Sequence, residues 1–135
     1  MSQYAYTQKL EISFDQAVEE VKKVLQEQGF GILTEIDVQQ KMKEKLGKEM
    51  DKYLILGACN PKLAAKALDS EPEIGLLLPC NVIVYIKDGE TIVSSIIPTV
   101  SMGFLENENL TCIKDEAEHK LKAAIDNLKI HTKIT

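Results

Sequence analysis

Hydrophobic and polar positions alternate from the start of the chain. Tyr4, Tyr6, Leu10 and Ile12 are interleaved with Ala5, Thr7, Lys9 and Glu11, a period of two that predicts a strand with one buried face, Gln8 being the exception. The period then changes. Ser13 followed three residues later by Gln16 is a capping box, and Phe14, Ala17, Val18, Val21 and Leu25 recur at helical spacing until Gly29, a residue suited to the left-handed position that ends a helix. Gly31 to Asp37 predicts a second strand. Val38, Met42 and Leu46, four apart and stopped by Gly47, predict a short amphipathic helix. Its other face, Lys41, Lys43, Glu44, Lys45 and Lys48, reads as a solvated face rather than a binding patch.

Lys52 to Cys59 is apolar almost throughout, which suits a strand buried on both sides or running under a helix. Asn60-Pro61 restarts a helix, with Asn as cap and Pro at the first helical position. Leu63, Ala64, Ala67 and Leu68 are expected to point inward, and the helix to stop near Pro72. Pro79 to Lys87 and Glu90 to Ile97 flank Asp88-Gly89, which predicts a hairpin closed by a type I′ turn. The Leu78-Pro79 bond is a candidate for a cis peptide shaping this turn, although trans is the common state of X-Pro bonds and the sequence leaves the choice open. Pro98 to Asn109 has no period and reads as a surface loop. From about Thr111 or Lys114 a last helix presents Ile113, Ala117, Leu121, Ala124, Ile125 and Leu128 on one stripe.

The predicted order is β-α-β-α-β-α-β-β-α. It specifies an α+β fold in two layers, an antiparallel or mixed sheet with helices on one face.

A length of 135 residues suits one domain spanning 1–135 around a single core. The net charge of -5 opposes phosphate backbones and anionic lipid, which argues against nucleic acid and membrane surfaces as partners. No apolar stretch approaches the ~20 residues that span a bilayer. The start of the chain has no cationic segment followed by an apolar one, so the expected location is the cytoplasm. There the three cysteines are expected to be reduced thiols.

Two of those cysteines precede asparagine, in Cys59-Asn60-Pro61 and in Pro79-Cys80-Asn81, although the chain holds only five asparagines. Both dipeptides fall at the ends of predicted elements, where sheets display functional groups. At a helix N-terminus Cys59 is expected to have a lowered pKa, which favours the thiolate that attacks disulfides or binds soft metals. Cys80 shares a strand face with Val82, Val84 and Ile86. The competing reading is structural: buried cysteine is a small hydrophobe, and asparagine caps helices and turns.

Other chemistry is scarce. There is no CxxC pair or close histidine pair for zinc. His119 and His131 read as solvated, Cys112 as packing at the start of the last helix. Nucleophile elbows, P-loops and dinucleotide fingerprints are missing. Glu71, Glu73, Glu106 and Glu108 lie in predicted loops without the apolar surroundings that raise a carboxylate pKa.

The stretch Tyr53-Leu54-Ile55-Leu56-Gly57-Ala58-Cys59-Asn60-Pro61 with Leu63-Ala64 and Ala67-Leu68, and the stretch Gly75-Leu76-Leu77-Leu78-Pro79-Cys80-Asn81-Val82, resemble the domain-of-unknown-function 302 family (DUF302). Phe14, Ala17, Gly29-Phe30 and Glu35-Ile36-Asp37 extend the likeness. The resemblance implies a TATA-box-binding-protein-like (TBP-like) α+β fold, a label for topology that carries no implication of DNA binding.

Two functions follow as expectations. The first is a binding domain rather than an enzyme, a homodimer holding a small ligand or protein partner beside Cys59, Asn60, Pro61, Pro79, Cys80 and Asn81, with no cofactor. The second is a thiol-based redox or soft-metal-binding protein, with Cys59 as nucleophile or ligand and Cys80 as its resolving or second ligand.

Overall fold

The computed structural model describes residues 3–132, the last four by backbone alone. Its elements are β1 (Ala5–Leu10), α1 (Phe14–Glu27), β2 (Gly31–Asp37), α2 (Val38–Leu46), β3 (Tyr53–Cys59), α3 (Pro61–Ser70), β4 (Cys80–Lys87), β5 (Glu90–Ile96), α4 (Pro98–Ser101) and α5 (Thr111–Thr132), with 3-10 turns at Pro72–Leu77 and Glu108–Leu110. The five strands form one sheet in the order β1-β5-β4-β3-β2, and every neighbouring pair is antiparallel.

Local chemistry sets the boundaries. Ser13 accepts from the Gln16 backbone N–H while the Gln16 side chain accepts from the Ser13 N–H, both at 3.2 Å, so two orphan donors at the start of α1 are satisfied. Gly29 then takes φ 85°, the left-handed conformation that ends the helix. Asp88 and Gly89, at φ 52° and 78°, have the two positive angles a type I′ turn requires, and β4 and β5 pair from Lys87↔Glu90 inward.

The main core lies between the sheet and helices α1 and α5. Val21, Val24, Leu25, Leu56, Val82, Val84, Val93, Leu121 and Ile125 are fully or almost fully removed from water there. Strand β3 therefore runs under helices on one side only. A second, smaller cluster of Ala67, Ile74, Met102 and Leu110 sits beyond the Cys59 and Cys80 end of the sheet.

Several expectations are corrected. The 98–109 segment is no simple surface loop: it folds into α4 and a 3-10 turn, and Pro98, Met102 and Leu110 are buried. Such short pieces each bury one side chain, which leaves no period to read. Leu68 is 43% exposed because α3 is buried along the Leu63–Ala67 stripe alone. Helix α2 buries none of its residues, and Leu46 is 73% exposed. Tyr4 precedes β1 and is exposed. Cys112 is exposed rather than packed. The Leu78-Pro79 bond, whose state the sequence leaves open, is cis.

Candidate functional site

Strands β3 and β4 pair with Ala58 opposite Cys80 and Gly57 opposite Asn81, so antiparallel register brings the two Cys-Asn dipeptides to one end of the sheet. Cys80 faces the core with Val82 and Val84 and is buried; Cys59 is half-buried at the end of β3. Both cysteines line one apolar cavity of about 40 Å³. One wall comes from the main core through Phe30, Ala58 and Cys80, the other from the second cluster through Ile74, Met102 and Leu110. The cavity is the seam between the two hydrophobic clusters. Among the described residues Lys114 of α5 is the one charged residue on its lining, and its Nζ donates to the Met102 carbonyl at 3.3 Å.

The repeated dipeptide does not have one repeated role. Asn60 faces the cavity but is occupied structurally: its Oδ1 accepts from the Leu63 N–H and its Nδ2 donates to the Gln28 carbonyl, both at 3.4 Å, which caps α3 and ties it to the end of α1. Asn81 is exposed and belongs to an open groove with Leu76, Pro79 and Ser101. Pro61 occupies the first turn of α3 and is exposed. Pro79 packs over Gly57, where an added Cβ would lie 2.7 Å from the Pro79 Cγ.

Electrostatics at the cysteines differ from expectation. Burial pushes the Cys80 thiol up to about 11, with nearby Cys59 adding to the rise. Burial also raises the Cys59 thiol, by desolvation of the thiolate, opposite in direction to the lowering expected at the α3 N-terminus. Both thiols are protonated at neutral pH. Among the described residues no group of three or more His, Cys, Asp or Glu side chains is placed to hold a metal ion. His119 is exposed, and the side chain of His131 lies outside the described residues.

The roof of the cavity is held by polar ties. Glu118 on α5 accepts from the Thr99 backbone N–H at 3.1 Å and from the Thr99 hydroxyl, and pairs with Lys122 at 3.0 Å. With Lys114 on the Met102 carbonyl, these contacts fasten α4 to α5. Sequence reasoning missed Phe30, Met102, Leu110 and Lys114 as lining residues. Only Phe30, next to the helix-ending Gly29, carried any local signal.

The chain matches the family model described as "Domain of unknown function DUF302" over residues 6–128. It belongs to the DUF302 family. The crystal structure of the uncharacterized conserved protein DUF302 from Bacillus stearothermophilus is similar to it, with TM-score 0.86 and 30% identity over 93% of this chain and 98% of that chain. No curated protein matches this DUF302 chain. The fold is thus the α+β arrangement its pattern predicts. No helix among the described residues is long and apolar enough to cross a membrane.

Proposed function

We propose that this DUF302 domain is a binding protein that takes a small apolar group into the seam cavity, with Lys114 meeting an anionic end. The observation that carries this reading is the convergence of Cys59 and Cys80 on one apolar cavity where, among the described residues, Lys114 is the one cation on the lining. Apolar cavities stay dry and gain from an apolar occupant, because their walls otherwise lack dispersion partners. A cavity of about 40 Å³ suits a short aliphatic segment rather than a nucleotide or a ring system. Raised thiol pKa values favour Cys59 and Cys80 as soft apolar walls over thiolate chemistry.

Titration of hexanoate and of hexanol into methyl-labelled protein tests this. Both ligands are expected to shift the Met102, Leu110 and Ile113 signals, hexanoate at lower concentration. Replacing Lys114 by Met should remove the advantage of hexanoate and leave hexanol unchanged. Absence of any shift at these methyls up to ligand solubility rejects the reading.

A further inference from the structure

The sheet has a second face that neither hydrophobic cluster uses. Register assigns its residues. Val82, Val84, Val93 and Leu56 are fully buried on the helix side, so their strand neighbours point the other way. One row across the outer face is Ile36, Ile55, Ile83 and Ser94, each opposite the next, ending at Thr7, whose hydroxyl is 2.8 Å from that of Ser94. The next row is Tyr53, Tyr85, Ile92 and Lys9, with the two tyrosine rings stacked at 5.3 Å. Ile36 is 44% exposed, and Tyr53, Ile55, Ile83, Tyr85 and Ile92 are half-buried without joining either core cluster. An antiparallel sheet facing water on one side normally alternates apolar-in with polar-out. Here Tyr53 and Ile55 of β3, Ile83 and Tyr85 of β4 and Ile92 of β5 form a contiguous apolar patch at outward positions.

We infer that this face packs against the same face of a second copy of the chain, forming a twofold sheet-on-sheet dimer. Size supports that occupant. Five strands ~4.8 Å apart and about six residues long cover roughly 500 Å² in projection. Side-chain relief adds to that projected area, which is the same order as the ~800 Å² that each partner gives to a standard interface. Shape agrees, since a broad apolar sheet face pairs with another such face at the spacing of a sandwich.

Charge selects a second copy over nucleic acid or anionic lipid. The charged residues at outward strand positions are Lys9, Lys87 and Glu90, all at the hairpin end, with Lys9 and Glu90 paired at 2.9 Å. This face is therefore slightly positive on a chain of net charge -5, so it does not concentrate the chain's negative charge between two copies. Its centre buries no charge on association, whereas two lysines are too few to hold a phosphate backbone. The interface is independent of whatever occupies the seam cavity.

Sedimentation equilibrium from low micromolar to submillimolar protein tests the inference. The wild type is expected at twice 15.1 kDa. Ile83→Lys should weaken the dimer about a hundredfold or more, while Leu46→Lys, on exposed α2, should leave it intact. A wild type that stays monomeric throughout, or a folded Ile83→Lys variant that dimerises like wild type, overturns it. Because Ile83→Lys can also impair folding, the wild type is read directly with a soluble nitroxide. Methyls of Ile55, Ile83 and Ile92 should be shielded at high concentration and bleached on dilution. Bleaching as fast as Leu46 at every concentration overturns the dimer.

Discussion

The Glu118 carboxylate holds Thr99 by two hydrogen bonds, one from its backbone N–H at 3.1 Å and one from its hydroxyl. Glu118 of α5 thereby anchors the start of the short α4, which supplies part of the cavity wall through Pro98. Desolvation alone would raise the Glu118 pKa, but the Thr99 hydroxyl, Lys122 and the Thr99 N–H together lower it.

A group whose folded pKa is depressed stabilises the fold above its unfolded pKa, about 4.3 for Glu, and loses that contribution as pH falls through the folded value. Glu118→Gln is expected to cost about 1–2 kcal/mol at pH 7, seen as a lower denaturation midpoint. The gap between variant and wild type should be constant from pH 7 to 5 and close as pH drops below about 4. Amide exchange at Thr99 and Met102 should quicken in step. An equal gap at pH 3 and pH 7 would deny Glu118 this role.

Gly57 is required by closeness rather than by backbone angle. A Cβ there meets the Thr34 hydroxyl and lies 2.7 Å from the Pro79 Cγ. Gly57→Ala should destabilise by about 1–3 kcal/mol as β2 and Pro79 are pushed off β3. Adding Thr34→Ala removes one of the two obstacles and should restore part of the loss. Urea denaturation of the two variants measures both effects.

The two asparagines should separate cleanly. Asn60→Ala removes the α3 cap and the tie to Gln28, with an expected loss of about 1 kcal/mol. Asn81→Ala, on the exposed side, should fall within about 0.5 kcal/mol of wild type. Equal losses would restore a shared role to the repeated dipeptide.

Thiol reactivity should follow burial. In mass-resolved alkylation of the native protein, exposed Cys112 should label first, Cys59 more slowly, and buried Cys80 last. With its pKa pushed up to about 11, Cys80 should stay almost wholly protonated and the slowest of the three at pH 9, while its rate rises about tenfold per pH unit from pH 7 to 9. Rapid labelling of Cys59 at pH 6, ahead of Cys112, would contradict its raised pKa and return the thiolate reading to first place.

Much of this fold is determined locally. Ser13 with Gln16, Asp37 ahead of α2, Asn60-Pro61 and Asp88-Gly89 each satisfy or break backbone hydrogen bonding within a few residues, so they mark element ends without help from the rest of the chain. The alternation in β1 and the helical stripe of α1 likewise state which side is buried. That is why the α+β class and the order of elements are readable from sequence, and why the two Cys-Asn motifs stand out.

Tertiary structure decided what those motifs are for. Antiparallel pairing of β3 with β4 brings Cys59 and Cys80 together across more than twenty residues of chain, while Met102 and Leu110 join them from segments with no period of their own and Lys114 from the start of α5. Burial then raises both thiol pKa values, because desolvation depends on what packs around a group and not on its sequence neighbours. The same holds for the outer sheet face. Ile55 and Ile83 are as apolar in sequence as Leu56 and Val82, and only the side on which α1 and α5 land separates core from open surface.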